Sequence, residues 1–143
     1  MRINKILLFI FLIIVIVIAG CSNSNNNNEV NNNIILDKMT VYRSTSCGCC
    51  DLYAGYLDDK SNGEVENILM DETELQGLKD QYGIPNELRS CHTTTIGNYF
   101  VEGHIPLEAV YKLMEEQPDI KGIAMPGMPS GSPGMPGSKE TFI

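Results

Sequence analysis

Two residues, Gly97-Asn98, separate the alternating runs Thr93 to Ile96 and Tyr99 to Glu102, and no other feature restricts the fold of this chain as sharply. A two-residue link containing residues that accept φ > 0 joins antiparallel strands, whereas parallel strands need a crossover of about a dozen residues or more. Upstream, Met39 to Arg43 and Val65 to Met70 read as strands. Between them, Asp51 to Lys60 places Leu52, Tyr53, Tyr56 and Leu57 on one helical face. That β-α-β unit is a crossover, so its strands are parallel. A second helix follows: Asp71-Glu-Thr-Glu supplies a cap and an acidic first turn, Leu75, Leu78 and Tyr82 recur at helical spacing, and Gly83 and Pro85 end it. After the hairpin, Pro106 opens a third helix whose face is Val110, Leu113 and Met114 and which stops before Pro118.

The order β-α-β-α-β-β-α, with one parallel crossover and one hairpin, predicts a thioredoxin-like α/β domain over residues 37–143. Its last segment, Ile120-Lys-Gly-Ile-Ala-Met125-Pro-Gly-Met128-Pro-Ser-Gly-Ser-Pro-Gly-Met135-Pro-Gly137, is too rich in Pro and Gly for a helix or an interior strand, and is expected to lie on the domain as an extended arm.

The amino terminus has a different character. Met-Arg-Ile-Asn-Lys precedes an apolar run from Ile6 to Gly20, shorter than the ~20 residues that a spanning helix wants and of signal-peptide size. It ends in Ile18-Ala19-Gly20-Cys21, which resembles the lipobox of bacterial lipoproteins. Residues 1–20 are therefore expected to be a cleaved signal peptide and Cys21 the lipidated first residue, the other reading being an uncleaved signal anchor. Several acyl chains are needed for a lasting anchor, because one chain binds only marginally. Residues 21–36 read as a tether, because residues 22–33 are Asn-rich with Val30 as their one apolar side chain. Either reading puts the rest outside the cytoplasm, on a bacterial membrane. With 18 acidic against 10 basic residues, two of the latter being Arg2 and Lys5, the chain is a poor partner for nucleic acid or anionic lipid and a plausible one for a cation.

The chemistry lies in four cysteines. Cys47-Gly-Cys49-Cys50 is a C-x-x-C with a third thiol inside it, between the first strand and the first helix, where helix-terminal N–H groups favour thiolate. Its two readings are a reactive or metal-ligating cluster and a disulfide staple, and a Cys47–Cys50 staple closes too small a loop to stabilise much. The topology adds the rest. The third strand runs antiparallel to the first, so Cys91 and His92 at its start face the Cys47 loop, and the fourth strand returns to the same edge with His104 just beyond it. All four cysteines and both histidines converge.

Thiolate and imidazole together suit copper or zinc. Met125, Met128 and Met135 add thioethers, ligands for Cu(I) far more than for Zn(II), or else apolar gap-fillers that fasten the arm. Zinc is thus the competitor of Cu(I). No Asp/Asn series with calcium-loop spacing occurs, and Asp58-Asp59 and Glu115-Glu116 read as solvated helix faces.

At these residues the chain resembles the domain of unknown function 411 family of exported metal-binding proteins associated with copper resistance. The resemblance is carried by Ser46-Cys-Gly-Cys-Cys50, Gly83-Ile-Pro85 with Glu87-Leu88, Ser90-Cys-His-Thr93, Tyr99 with Val101-Glu-Gly-His104-Ile-Pro106, Pro126-Gly-Met-Pro129 and Gly131-Ser-Pro-Gly-Met135. It implies a thioredoxin-variant fold, copper binding with cycling between Cu(I) and Cu(II), and Cys47, Cys50, Cys91, His104 and the tail methionines as ligands, with Cys49 and His92 beside them. Tyr53 stands where many members carry Trp, and many members are soluble exported proteins where this chain has a lipidation signal. The function expected is a membrane-tethered extracytoplasmic copper-binding protein, in exchange with other copper-handling proteins. The competing one is a thiol-disulfide oxidoreductase in which Cys47 attacks and Cys50 resolves.

Overall fold

The computed structural model describes residues 34–138. The expected cleavage site, Cys21 and residues 22–33 of the tether lie outside the described residues. The elements are β1 (Met39–Ser44), α1 (Gly48–Lys60), β2 (Val65–Met70), α2 (Glu72–Tyr82), a single 3-10 turn (Asn86–Leu88), β3 (His92–Ile96), β4 (Tyr99–Glu102), α3 (Leu107–Glu116) and β5 (Gly122–Ala124). They form one five-stranded sheet in the order β2-β1-β3-β4-β5.

β1 pairs in parallel with β2 and antiparallel with β3, which places Arg43 opposite His92. β3 and β4 form the expected hairpin, Ile96 opposite Tyr99. Gly97 alone of the two turn residues has positive φ, +53°. The ends of β1 and β4 and the start of β3 therefore share one edge of the sheet, as the thioredoxin-like order requires.

Alternation along β3 separates two layers. His92 faces α1, its ring centroid 4.5 Å from that of Tyr53, while Thr93 faces α2, its Oγ1 accepting a hydrogen bond from Lys79 Nζ at 3.0 Å. The main core lies on the first side, where Met39, Val41, Ile96 and Val101 of the sheet meet Tyr53 and Leu57 of α1 and Val110 and Leu113 of α3. On the second side Leu75, Ile84 and Phe100 are buried. Lys79 and Glu102, both fully buried, are ion-paired there.

α2 is bounded as its residues predict. Asp71 accepts a hydrogen bond from Glu74 N, Glu74 returns one to Asp71 N, and Gly83 takes the left-handed cap at φ +67°.

The structure departs from the sequence reading in four places. α1 begins at Gly48 rather than Asp51, so Cys49 and Cys50 form its first turn and Cys47 its N-cap. Its buried face is Cys50, Tyr53, Ala54 and Leu57, a 3-4 spacing that counts Cys50 as apolar, and Leu52, expected inside, is 64% exposed. β5 was not expected. It occupies an edge, where hydrogen bonds are needed on one side only, and Gly122 fits because a Cβ there would lie 2.5 Å from the Phe100 ring. Finally, packing starts before Asp37: Leu36 is buried, its N–H donating to Asn62 Oδ1 at 3.1 Å, and Asn62 Nδ2 donates to Ile34 O at 2.7 Å.

Candidate metal centre

Three segments meet at the shared sheet edge. The turn after β1 carries Cys47 into α1, the residue before β3 is Cys91, and the residue two beyond β4 is His104. Glycine makes the third approach feasible: Gly103 has φ +80°, and a Cβ on it would lie 2.6 Å from Met125 O and 2.8 Å from Ser90 Cβ.

Cys47 and Cys50 are joined as a disulfide, so the staple, the lesser of the two sequence readings, is present. Cys49 and Cys91 are free thiols. From Cys49 Sγ it is 3.5 Å to Cys47 Sγ, 4.0 Å to Cys91 Sγ and 4.0 Å to Met128 Sδ. From Cys91 Sγ it is 3.3 Å to His104 Nε2 and 3.4 Å to His92 Nδ1. The ligand atoms of the four cysteines lie within 4.8 Å of one another, and so do those of Cys91, His92 and His104. Cys91 belongs to both groups.

The structure distinguishes among the methionines. Met128, 55% exposed, reaches the thiols. Met125 packs against the core, as the gap-filler reading has it. Met135 is half-buried in a turn that its own N–H closes on Ser132 O at 2.9 Å. The arm as a whole lies across the centre. Ser90 Oγ donates to Gly127 O at 2.9 Å, His104 Nδ1 is 2.7 Å from Pro133 O, and Gly134 presses on α1 so closely that a Cβ would meet Tyr53 N at 2.8 Å. Sequence reasoning missed these anchors. A backbone carbonyl such as that of Pro133 carries no side-chain signature, although Gly134 after Pro133 was a sign of close approach.

Comparison with known proteins fits this geometry. A family model described as a protein of unknown function, DUF411, matches residues 88–135. A solved structure named "Copper resistance protein copG, Form 1" is 37% identical over 70% of this chain and 77% of its own, with a TM-score of 0.63. The chain belongs to the DUF411 family. Form 2 of that copper resistance protein gives 36% identity, coverage of 73% and 82%, and a TM-score of 0.64. No curated protein matches the chain.

Electrostatics in this DUF411 domain favour neutral donors. Burial, then His104 and Lys79, push the His92 imidazole down from 6.5 to about 3. Burial also lowers His104, while the hydrogen bond to Pro133 works the other way. Burial, and then the neighbouring Cys49, push the Cys91 thiol up to about 11. A site that keeps imidazoles unprotonated presents lone pairs, and a bound cation would take the place of the thiol proton.

The donor set fits a soft metal ion. His92 Nε2 is buried with no hydrogen-bond partner among the described residues, so that ring is incompletely satisfied by the protein alone. With the disulfide closed, the donors are Cys49, Cys91, His92, His104 and Met128. Opening it would add Cys47 and Cys50.

Proposed function

We propose that this protein binds copper as Cu(I) at the Cys49–Cys91–His104 centre and serves copper resistance or homeostasis outside the cytoplasm, tethered to the membrane by lipid on Cys21. The observation that carries the reading is the position of Cys91 Sγ, 4.0 Å from Cys49 Sγ on one side and 3.3 Å from His104 Nε2 on the other. Thiolate, imidazole and the Met128 thioether together prefer Cu(I), with Zn(II) the competitor that binds without the thioether. The copper resistance names of its relatives support copper over zinc. Cycling between Cu(I) and Cu(II) is part of the proposal: two Cu(II) each take one electron as the Cys47 and Cys50 thiols release two protons and close their disulfide, and the reverse reopens it. Other copper-handling proteins are its partners.

The deciding experiment is elemental analysis of protein isolated without chelator and with thiols protected, followed by competitive titration with Cu(I) and Zn(II). Copper retained and held more tightly than zinc supports the reading. Protein that binds no copper sinks it. For the anchor, Cys21→Ser should release the protein from membranes or block its maturation. A full-length unmodified chain that stays membrane-bound would replace the lipoprotein with a signal anchor.

The Cys47–Cys50 disulfide favours a second reading, a thiol-disulfide oxidoreductase. Two features weigh against it. Cys49 and Cys91 crowd the disulfide with competing thiols, and Cys91-His92 occupies the pre-β3 position where thioredoxin-type enzymes usually carry a cis-proline, with no cis peptide among the described residues. Efficient reduction of protein disulfides through Cys47 and Cys50, without copper binding, would reverse the order of the two.

A further inference from the structure

Lys79 and Glu102 form an ion pair with no exposed side-chain surface, in the layer between the sheet and α2 rather than in the layer that holds the imidazoles. Every proton of the ammonium has an acceptor: Glu102 Oε1, Thr93 Oγ1 at 3.0 Å and Ser90 O at 3.1 Å. The carboxylate is satisfied equally well, because Oε1 also accepts from Ser90 N at 2.6 Å and Oε2 accepts from Thr93 Oγ1 at 2.6 Å.

Stability does not require such a pair. Desolvating two charges costs as much as their attraction returns, and apolar residues of similar volume often serve a core as well or better. An apolar pair could not do one thing that this pair does. It grips Ser90 at both its N–H and its C=O, and it grips Thr93 by the hydroxyl, so the two residues flanking Cys91-His92 are tied to a single buried anchor. Glu102 is also the last residue of β4, two before His104, and Gly103 N donates to His92 O at 3.1 Å. The segments that supply Cys91, His92 and His104 thus share one fixed point.

We infer that Lys79 and Glu102 are positioning residues of the metal centre, holding the Ser90–Thr93 segment and the end of β4 so that Cys91 Sγ meets His104 Nε2. The inference rests on the reading of Cys91 and His104 as metal ligands. Outer partners that orient ligands are worth about ten- to hundredfold in metal affinity.

The test uses Lys79→Met, Glu102→Gln and the two together, which remove the pair with little change of side-chain length. Three properties are measured on the reduced protein: the metal-free melting temperature, the Cu(I) affinity by competition with a chromophoric chelator, and the thiolate-to-copper charge-transfer absorption. The double variant leaves no unpaired buried charge. It is expected to melt cooperatively near the wild-type temperature, bind Cu(I) about ten- to hundredfold more weakly and show a shifted charge-transfer band. Glu102→Gln alone, which keeps the Lys79 donors for Ser90 O and Thr93 Oγ1 as well as an oxygen for Ser90 N, should lose less affinity. Wild-type affinity and an unshifted band in the double variant would overturn the inference. So would an affinity that merely follows melting temperature across the three variants, including one too unstable to fold. If the wild-type protein itself binds no Cu(I), the metal reading fails, a result distinct from copper binding that is indifferent to the pair.

Discussion

Cys91 Sγ lies 3.3 Å from His104 Nε2, and the opposite nitrogen of that ring is held by Pro133 O at 2.7 Å. A carbonyl can only accept, so His104 carries its proton on Nδ1 and turns the Nε2 lone pair toward the thiol. The arm thereby selects the tautomer that can ligate a metal. His104→Ala should weaken Cu(I) binding by about ten- to hundredfold while the metal-free domain stays folded, as read by chelator competition and circular dichroism. Unchanged affinity would remove His104 from the centre.

The disulfide divides the four site cysteines into two free and two bonded. Reduction should raise the accessible thiols by two, measured with a thiol reagent in denaturant, and should raise the Cu(I) bound at saturation. Equal copper stoichiometry before and after reduction would mean that Cys47 and Cys50 contribute no ligand.

The methionines are separable by substitution. Met128→Leu removes the thioether beside Cys49 and should lower Cu(I) affinity with little effect on Zn(II). Met125→Leu exchanges one core-packing side chain for another of similar volume and should cost less than about 1.5 kcal/mol of stability with no change in copper binding. Calorimetric titration of the two variants with both metals distinguishes a ligand role for Met128 from a purely structural one.

Acid should destabilise the metal-free domain early. His92 titrates near 6.5 when unfolded and near 3 when folded, so below 6.5 the unfolded chain binds the extra proton and stability falls. The slope is about 1.4 kcal/mol per pH unit, from about 6.5 down to about 3, and it vanishes above 6.5. His104, shifted the same way, adds to it. Urea denaturation from pH 8 to pH 4 should show the fall, and His92→Leu should flatten it. A flat wild-type profile would contradict the neutral burial of His92.

Gly134 tests the docking of the arm. It has φ +78°, and a Cβ there would fall 2.8 Å from Tyr53 N and 3.0 Å from Cys49 O, both backbone atoms that cannot swing aside. Gly134→Ala should cost about 1–3 kcal/mol and raise the proteolytic susceptibility of the arm. Protection equal to wild type would mean that the arm docks without this contact.

Periodicity and turn chemistry act over a few residues, and whatever depends on them was legible in the chain. Gly97-Asn98 specified the hairpin, Asp71 and Gly83 bounded α2, and strand directions followed because a crossover and a two-residue turn each permit only one. Those directions were enough to bring Cys47, Cys49, Cys50, Cys91, His92 and His104 to one edge. Tertiary structure decided everything that depends on sub-ångström approach between distant segments. Which thiols bond and which stay free depends on the first turn of α1, and Met128 rather than Met125 reaches the sulfurs because β5 takes an unpaired sheet edge and carries Met125 onto the core. Lys79 stands four residues after Leu75 and three before Tyr82, on the face that α2 buries, but a lysine is a residue type that seldom goes inside. It is buried because Glu102, Thr93 and Ser90 O meet it from two other segments, and no local pattern encodes a charge whose partners lie 11, 14 and 23 residues away.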